Sequence, residues 1–287
     1  MAREPVFAGA FYEKGFNQLD KQINQCFLHE KGPGELPIDK RTTKLKAIIA
    51  PHAGYMYSGP CAAWAYKDLA EAEFPDVYII IGPNHASNGD WLSTDMWKTP
   101  FGEIRVDKDL AKALLKQNDQ LKINEHAHQQ EHSIEVQLPF LQFATKDKMH
   151  ELKILPIIVD HELDYHKLAL DLKEALLETD RKAVFIVSSD FTHFGRDYKY
   201  IPFSENVRQK IYDLDKEAIE FIKKMDAEGF VKFNFDKIST ICGQVPIAVL
   251  LRSIKADKIN MEQYYTSADI TDGDYKSSVS YASIMFY

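Results

Sequence analysis

Five apolar runs punctuate the chain: Lys46 to Ala50, Val77 to Ile81, Leu152 to Val159, Ala183 to Ser188 and Ser280 to Phe286. They are rich in Ile, Val and aromatics and do not alternate cleanly with polar residues, which predicts strands covered on both faces. Between them, apolar positions recur at helical spacing. Phe16, Leu19, Ile23, Cys26 and Phe27 form one stripe, and Leu163, Leu168, Leu172, Leu176 and Leu177 a second. Residues 206–225 predict a long amphipathic helix with Ile211, Leu214, Ala218, Ile219 and Ile222 facing inward. Strands alternating with helices predict an α/β fold, a central and mostly parallel or mixed sheet with helices on both faces. Trp91 to Trp97 and Glu103 to Val106, joined through Thr99-Pro100-Phe101-Gly102, predict an antiparallel hairpin at one edge. The stretch KGPGELPIDKR at 31–41 is the best linker candidate, but it isolates a single helix. It therefore reads as a surface loop, and residues 1–287 as one domain.

Composition narrows the function class. Of 287 residues, 45% are apolar and 27% charged, ample for a buried core. The net charge is -8 with Lys and Arg scattered, which lacks the basic footprint of a nucleic-acid binder and would repel an anionic membrane. The longest apolar runs, such as VYIII, are far too short to span a bilayer. MAREPVFAGAFYEKG contains no apolar signal core, and the three cysteines (Cys26, Cys61 and Cys242) are dispersed and odd in number. A cytoplasmic protein with no nucleic-acid or membrane partner is the expectation.

In an open α/β sheet, ligands bind beyond the carboxyl ends of the strands. The first of these runs leads into Pro51-His52, the second into Gly82-Pro83-Asn84-His85, and the fourth into Asp190-Phe191-Thr192-His193. One histidine after a strand ordinarily caps a turn. Three at equivalent positions, brought together by the fold, predict a shared pocket. Cys242 precedes the apolar stretch Val245 to Leu251, where Pro246 suits the first turn of a helix. A thiol at a helix N-terminus has its thiolate stabilised, whereas Cys26 and Cys61 read as small core residues. In HAHQQEHSIE at 126–135, a helix would place His132, Glu131 and Glu135 on adjoining faces. His132 reads as a contact to substrate or to the metal ligands, and His126 and His128 as solvated. Walker, G-x-S-x-G, HExxH and GxGxxG patterns are absent, so no nucleotide cofactor is expected.

Two imidazoles and a thiolate make a mixed N/S set that suits zinc or copper, and iron where positions stay open. His193, with its tautomer fixed by Asp190, would then serve as general acid and base. The chain resembles the Memo family, including the AmmeMemoRadiSam system proteins. The resemblance rests on Ala8-Gly9 with Phe11-Tyr12, IIAPHAGYMYSG at 48–59, GPNH at 82–85, EHSIEVQLPFL at 131–141, VSSDFTHFG at 187–195, TICGQVPI at 240–247 and SSVSYA at 277–282. It implies a fold similar to class III extradiol dioxygenases, with His52, His85 and Cys242 at the metal positions. Asp190 and His193 match further pocket residues, His193 as the acid/base. Dioxygenases of that class use two histidines and a carboxylate, so Cys242 is a departure that bears on the redox chemistry. The resemblance also implies iron or copper binding and a pathway shared with radical-SAM and AMMECR-type proteins. Two functions follow as expectations. One is a metal-dependent oxidoreductase acting on a small molecule or dioxygen. The other is a binding module that takes a (phospho)peptide side chain or small anion in the same pocket.

Overall fold

The computed structural model describes residues 2–38, 41–271, 273 and 275–287. Asp39 and Lys40, in the proposed surface loop, lie outside the described residues. The strands are β1 Ala2–Arg3, β2 Ala47–Ala50, β3 Val77–Pro83, β4 Trp91–Leu92, β5 Met96–Thr99, β6 Gly102–Val106, β7 Lys122–Ile123, β8 Lys153–Val159, β9 Ala183–Ser188, β10 His193–Gly195, β11 Ile259–Thr266 and β12 Ser277–Phe286. The helices are α1 Phe16–Leu28, α2 Tyr55–Glu71, α3 Lys108–Gln117, α4 Glu125–Gln130, α5 Gln137–Ala144, α6 Tyr165–Thr179, α7 Val207–Lys223, α8 Ala227–Lys237, α9 Gln244–Ser253 and α10 Ser267–Thr271.

The central path runs β6-β8-β3-β9-β2-β12. Its first five strands are mutually parallel, and β12 closes the run antiparallel to β2. Side chains alternate across β3: Val77, Ile79 and Ile81 join one apolar cluster, while Tyr78 and Ile80 join the other. On the first face pack Leu168 and Leu172 of α6, Ile219 and Ile222 of α7, and Ile247 and Leu250 of α9. On the second lie Leu19, Ile23 and Phe27 of α1 with Tyr66 and Leu69 of α2. Cys26 and Cys61 are buried as expected. Gly59 lets α1 approach α2, since a Cβ there would lie 2.4 Å from the Cys26 sulfur.

Two expectations need correction. The edge hairpin forms between β5 and β6 alone, because Trp91 and Leu92 pair instead with Ile158 and Ile157 of β8. The segment 131–136 is not a helix. Gln130 ends α4 and α5 begins only at Gln137, leaving Glu131 to Val136 as a buried turn between them.

Register brings the strand ends level. Ala50 pairs with Ser188, and both Ile49 and Ile81 pair with Val187, so β2, β3 and β9 end side by side. Residues 52, 85 and 190 leave the sheet from those neighbouring ends.

Candidate metal centre

His52 follows β2, is buried at 2% exposure, and is oriented by β9. Its backbone N–H donates to Asp190 Oδ1 at 2.9 Å, and its Nδ1 lies 2.8 Å from Ser188 Oγ. The Ser188 hydroxyl donates its single proton to the Ser133 carbonyl at 2.6 Å and accepts from Gln137 Nε2 at 2.8 Å. His52 Nδ1 is therefore the donor in its own bond to Ser188, which leaves the Nε2 lone pair pointing at Cys242 Sγ, 3.2 Å away. Burial, reinforced by the nearby His132 and His85, pushes His52 well below the ordinary histidine pKa. It is a neutral imidazole, the form a metal needs.

His85 follows β3 and is held the same way by a carboxylate. Glu131 accepts the His85 N–H at 2.5 Å and faces His85 Nδ1 at 3.0 Å. The same carboxylate accepts the Ser133 N–H at 2.8 Å and meets His132 Nδ1 at 3.2 Å. Burial alone would raise Glu131, but the hydrogen bonds from His132 and His85 outweigh it and hold the carboxyl far below its usual range. Both imidazoles thus turn Nε2 away from Glu131. Their rings stack at 4.9 Å and 23°, and His52 stands edge-on to His132 at 5.2 Å and to His85 at 5.4 Å.

Cys242 lies two residues before α9, beside Asp190. The Asp190 N–H donates to its sulfur at 3.2 Å. Gly243 makes this approach possible: a Cβ there would fall 2.3 Å from Ser189 Cβ. Burial and then the Asp190 charge push the thiol well above its ordinary pKa, so a cation must displace the proton to recruit the thiolate.

One donor atom each from His52, His85 and Cys242 all lie within 4.8 Å of one another. A tetrahedral ion with ordinary Zn–N and Zn–S lengths separates N from S by roughly 3.5 Å, and the His52–Cys242 spacing is close to that. The donor set, its fixed tautomers and its mutual reach fit a metal of the zinc, copper or iron type.

The predicted partnership of Asp190 with His193 is not formed. Asp190 is spent on the His52 backbone, while His193 Nδ1 donates to the carbonyls of Phe191 at 2.9 Å and Thr240 at 3.0 Å. Two carbonyls fix the tautomer in place of the carboxylate, and His193 Nε2 is left as an acceptor. His193, Asp190 and His132 line a cleft of about 740 Å³ together with Phe11, Tyr57, Tyr198 and Tyr281. Phe191, between Asp190 and His193 in sequence, is buried in the core beneath.

His126 is exposed as expected, but His128 is fully buried. Its Nε2 bonds the Trp91 carbonyl at 3.1 Å, its ring meets Trp97 edge-on, and its own carbonyl accepts from Arg3 Nε at 2.8 Å. Arg3 stacks on Trp97 at 4.2 Å and pairs with the buried Glu135 at 2.5 Å. Glu135 also accepts from the Phe7 N–H and the Tyr12 hydroxyl, which anchors the N-terminal segment and seats Phe11 4.8 Å from His132. Sequence reasoning missed Glu131 and Ser188 as the groups that orient the metal-capable histidines. Their only signal was position, Ser188 at the end of a strand and Glu131 beside a histidine.

A family model described as Memo-like protein matches residues 3–285. The chain belongs to the Memo-like family. It is 36% identical to a MEMO1 family protein of Methanothermobacter thermautotrophicus over 294 aligned positions, covering 99% of this chain and all of that protein. A MEMO1 family protein of Sulfurisphaera tokodaii is 38% identical over 301 positions, covering this chain completely and 99% of the relative. Among solved structures, an uncharacterized protein from Escherichia coli K12 is similar with a TM-score of 0.50 at 13% identity, over 85% of this chain and the whole of that one. That likeness concerns the fold alone. Among the described residues no helix of this Memo-like protein is long and apolar enough to cross a membrane.

Proposed function

We propose that this Memo-like protein is a metal-dependent oxidoreductase in which His52, His85 and Cys242 hold iron or copper, and that it acts on a small molecule or on dioxygen. The observation that carries the reading is the convergence of the three donors, each imidazole fixed through its other nitrogen. When bound, either metal would supply electron-transfer chemistry that no side chain of the site provides, and the thiolate would add charge that a third histidine would not. Zinc also suits the ligands.

The residues around the centre have separable roles in this reading. Ser188 and Glu131 keep both ligand tautomers correct. His193, tethered through Nδ1, takes a proton at Nε2 and returns it without swinging away. Asp190 fixes the His52 backbone and caps the Cys242 sulfur with its N–H. His132 closes the cleft beside Phe11, where it meets substrate.

Capture of a phosphopeptide side chain or small anion in the same cleft has less support. Neither Lys nor Arg lines the cleft among the described residues, and the buried Asp190 adds an acidic group. Metal analysis of anaerobically purified protein tests the first reading. Roughly one iron or copper ion per chain is expected, with loss of most of it in Cys242→Ser. Substoichiometric metal in the wild type, or full retention in the variant, refutes it.

A further inference from the structure

A second cleft, of about 460 Å³, opens onto His85 and Cys242 and shares no lining residue with the cleft of His193. It lies at the carboxyl ends of β3 and β8, between the loop leading into α6, helix α8 and the first turn of α9. Val159, Leu163, Val231, Phe235, Ile241 and Val245 give it apolar walls.

Most of the polar groups around its apolar walls are already engaged by protein. Asn84 donates to the Gly89 carbonyl and accepts from Ser87, and Gln244 donates to the Ser239 carbonyl. Asp160 accepts the Gly89 N–H and pairs with His161. Neither Lys nor Arg lines this cleft among the described residues. At its mouth Phe235 is 82% exposed, and Ile238, three residues on, is 77% exposed. Ile238 ends α8 in the left-handed region at φ 51°, a costly conformation for a β-branched side chain. Large apolar groups held in water beside an apolar cleft mark a binding surface.

We infer that this cleft binds a neutral small molecule with an apolar body, which enters past Phe235 and rests against the wall made by His85 and Cys242. An anionic ligand would leave water for a cleft that lacks Lys and Arg, and the Asp160 carboxylate that would meet a cation is already occupied by the Gly89 and Glu162 N–H groups and His161. A peptide segment would bring backbone groups that the engaged polar residues cannot satisfy. The inference deepens the metal reading, because such a ligand abuts two of the three proposed metal ligands. The binding itself needs no metal.

The test is a titration of metal-free protein with benzyl alcohol, followed by NMR of labelled Val, Leu and Ile methyls and histidine rings. Saturable shifts are expected at Val159, Val231, Val245 and His85, with Val279 and His193 of the other cleft unmoved. Benzoate and benzylammonium, matched in size, should bind at least about tenfold more weakly. Val231→Trp, which fills the cleft, and Phe235→Asp, at an exposed position, should each weaken benzyl alcohol by about tenfold or more. Absent shifts, shifts confined to Val279 and His193, or equal binding of benzoate overturns the inference. Metal uptake measured separately keeps the two readings apart. Absent probe binding with normal uptake refutes this site alone, and absent uptake with normal probe binding refutes the metal reading alone.

Discussion

Replacing Glu131 by glutamine tests how the centre is organised, because one carboxylate there serves two imidazoles. Its oxygens meet four donors: the His85 N–H at 2.5 Å, His85 Nδ1 at 3.0 Å, the Ser133 N–H at 2.8 Å and His132 Nδ1 at 3.2 Å. An amide of the same shape keeps one acceptor oxygen and turns an NH2 toward donors. If the amide oxygen faces both rings and Ser133, its NH2 opposes the His85 N–H. If it faces the His85 N–H, the rings lose their acceptor. Either arrangement forfeits at least one hydrogen bond to a charged group, worth about 1.5–3 kcal/mol. Loss of an outer carboxylate that orients a metal-ligating histidine typically costs 10–100-fold in metal affinity, or about 1.4–2.7 kcal/mol. Glu131→Gln should therefore bind metal 10–100-fold more weakly by competition with a chelator of known affinity, an order-of-magnitude expectation. In the metal-free protein, ring-nitrogen NMR should show His85 and His132 leaving the single Nδ1–H tautomer. Unchanged affinity together with unchanged tautomers would refute the reasoning.

Two further predictions follow from buried geometry. Burial pushes His128 down to about 3, so it is neutral when folded and protonates near 6.5 when unfolded. Its contribution to stability is present above pH 6.5 and is lost as pH falls toward 3. Urea unfolding at pH 7.5 and 5.5 should differ by about 1.4 kcal/mol more in wild type than in His128→Asn; identical pH dependence of the two would sink the assignment. Gly243→Ala would place a methyl 2.3 Å from Ser189 Cβ, so α9 or β9 must move. A stability loss of about 1–3 kcal/mol is expected on denaturant titration, with weakened metal binding as Cys242 shifts from His52. A variant as stable as wild type, with wild-type affinity, would show that the close approach is unimportant.

The strands, the helical stripes and the clustering of His52 and His85 were legible in the sequence for one physical reason. Hydrophobic periodicity reports elements, and the carboxyl ends of parallel strands converge wherever register allows. Cys242 was legible in place from the helix start and in role from the family resemblance, but the expected stabilisation of its thiolate is reversed because burial and the Asp190 charge outweigh the helix N-terminus. The turn at 131–136 was not. Residues 131 and 135 suit a helix by spacing, but Glu131 is drawn to His85, 46 residues away, and Glu135 to Arg3, 132 residues away. Such long-range pairs override local propensity and leave no periodic trace. The same applies to His128, whose burial depends on the carbonyl of Trp91 and the ring of Trp97. For His193 the pattern suggested the nearby Asp190 as its anchor, whereas two backbone carbonyls do the holding, a role any residue type can fill.

A single ion held jointly by His52, His85 and Cys242 must show all three side chains in its coordination shell. X-ray absorption at the zinc edge of zinc-reconstituted protein measures that ligand set directly. One sulfur at about 2.3 Å and imidazole nitrogens at about 2.0–2.1 Å are expected, with the sulfur shell absent in Cys242→Ser. A wild-type spectrum fitted by nitrogen and oxygen alone would contradict joint ligation.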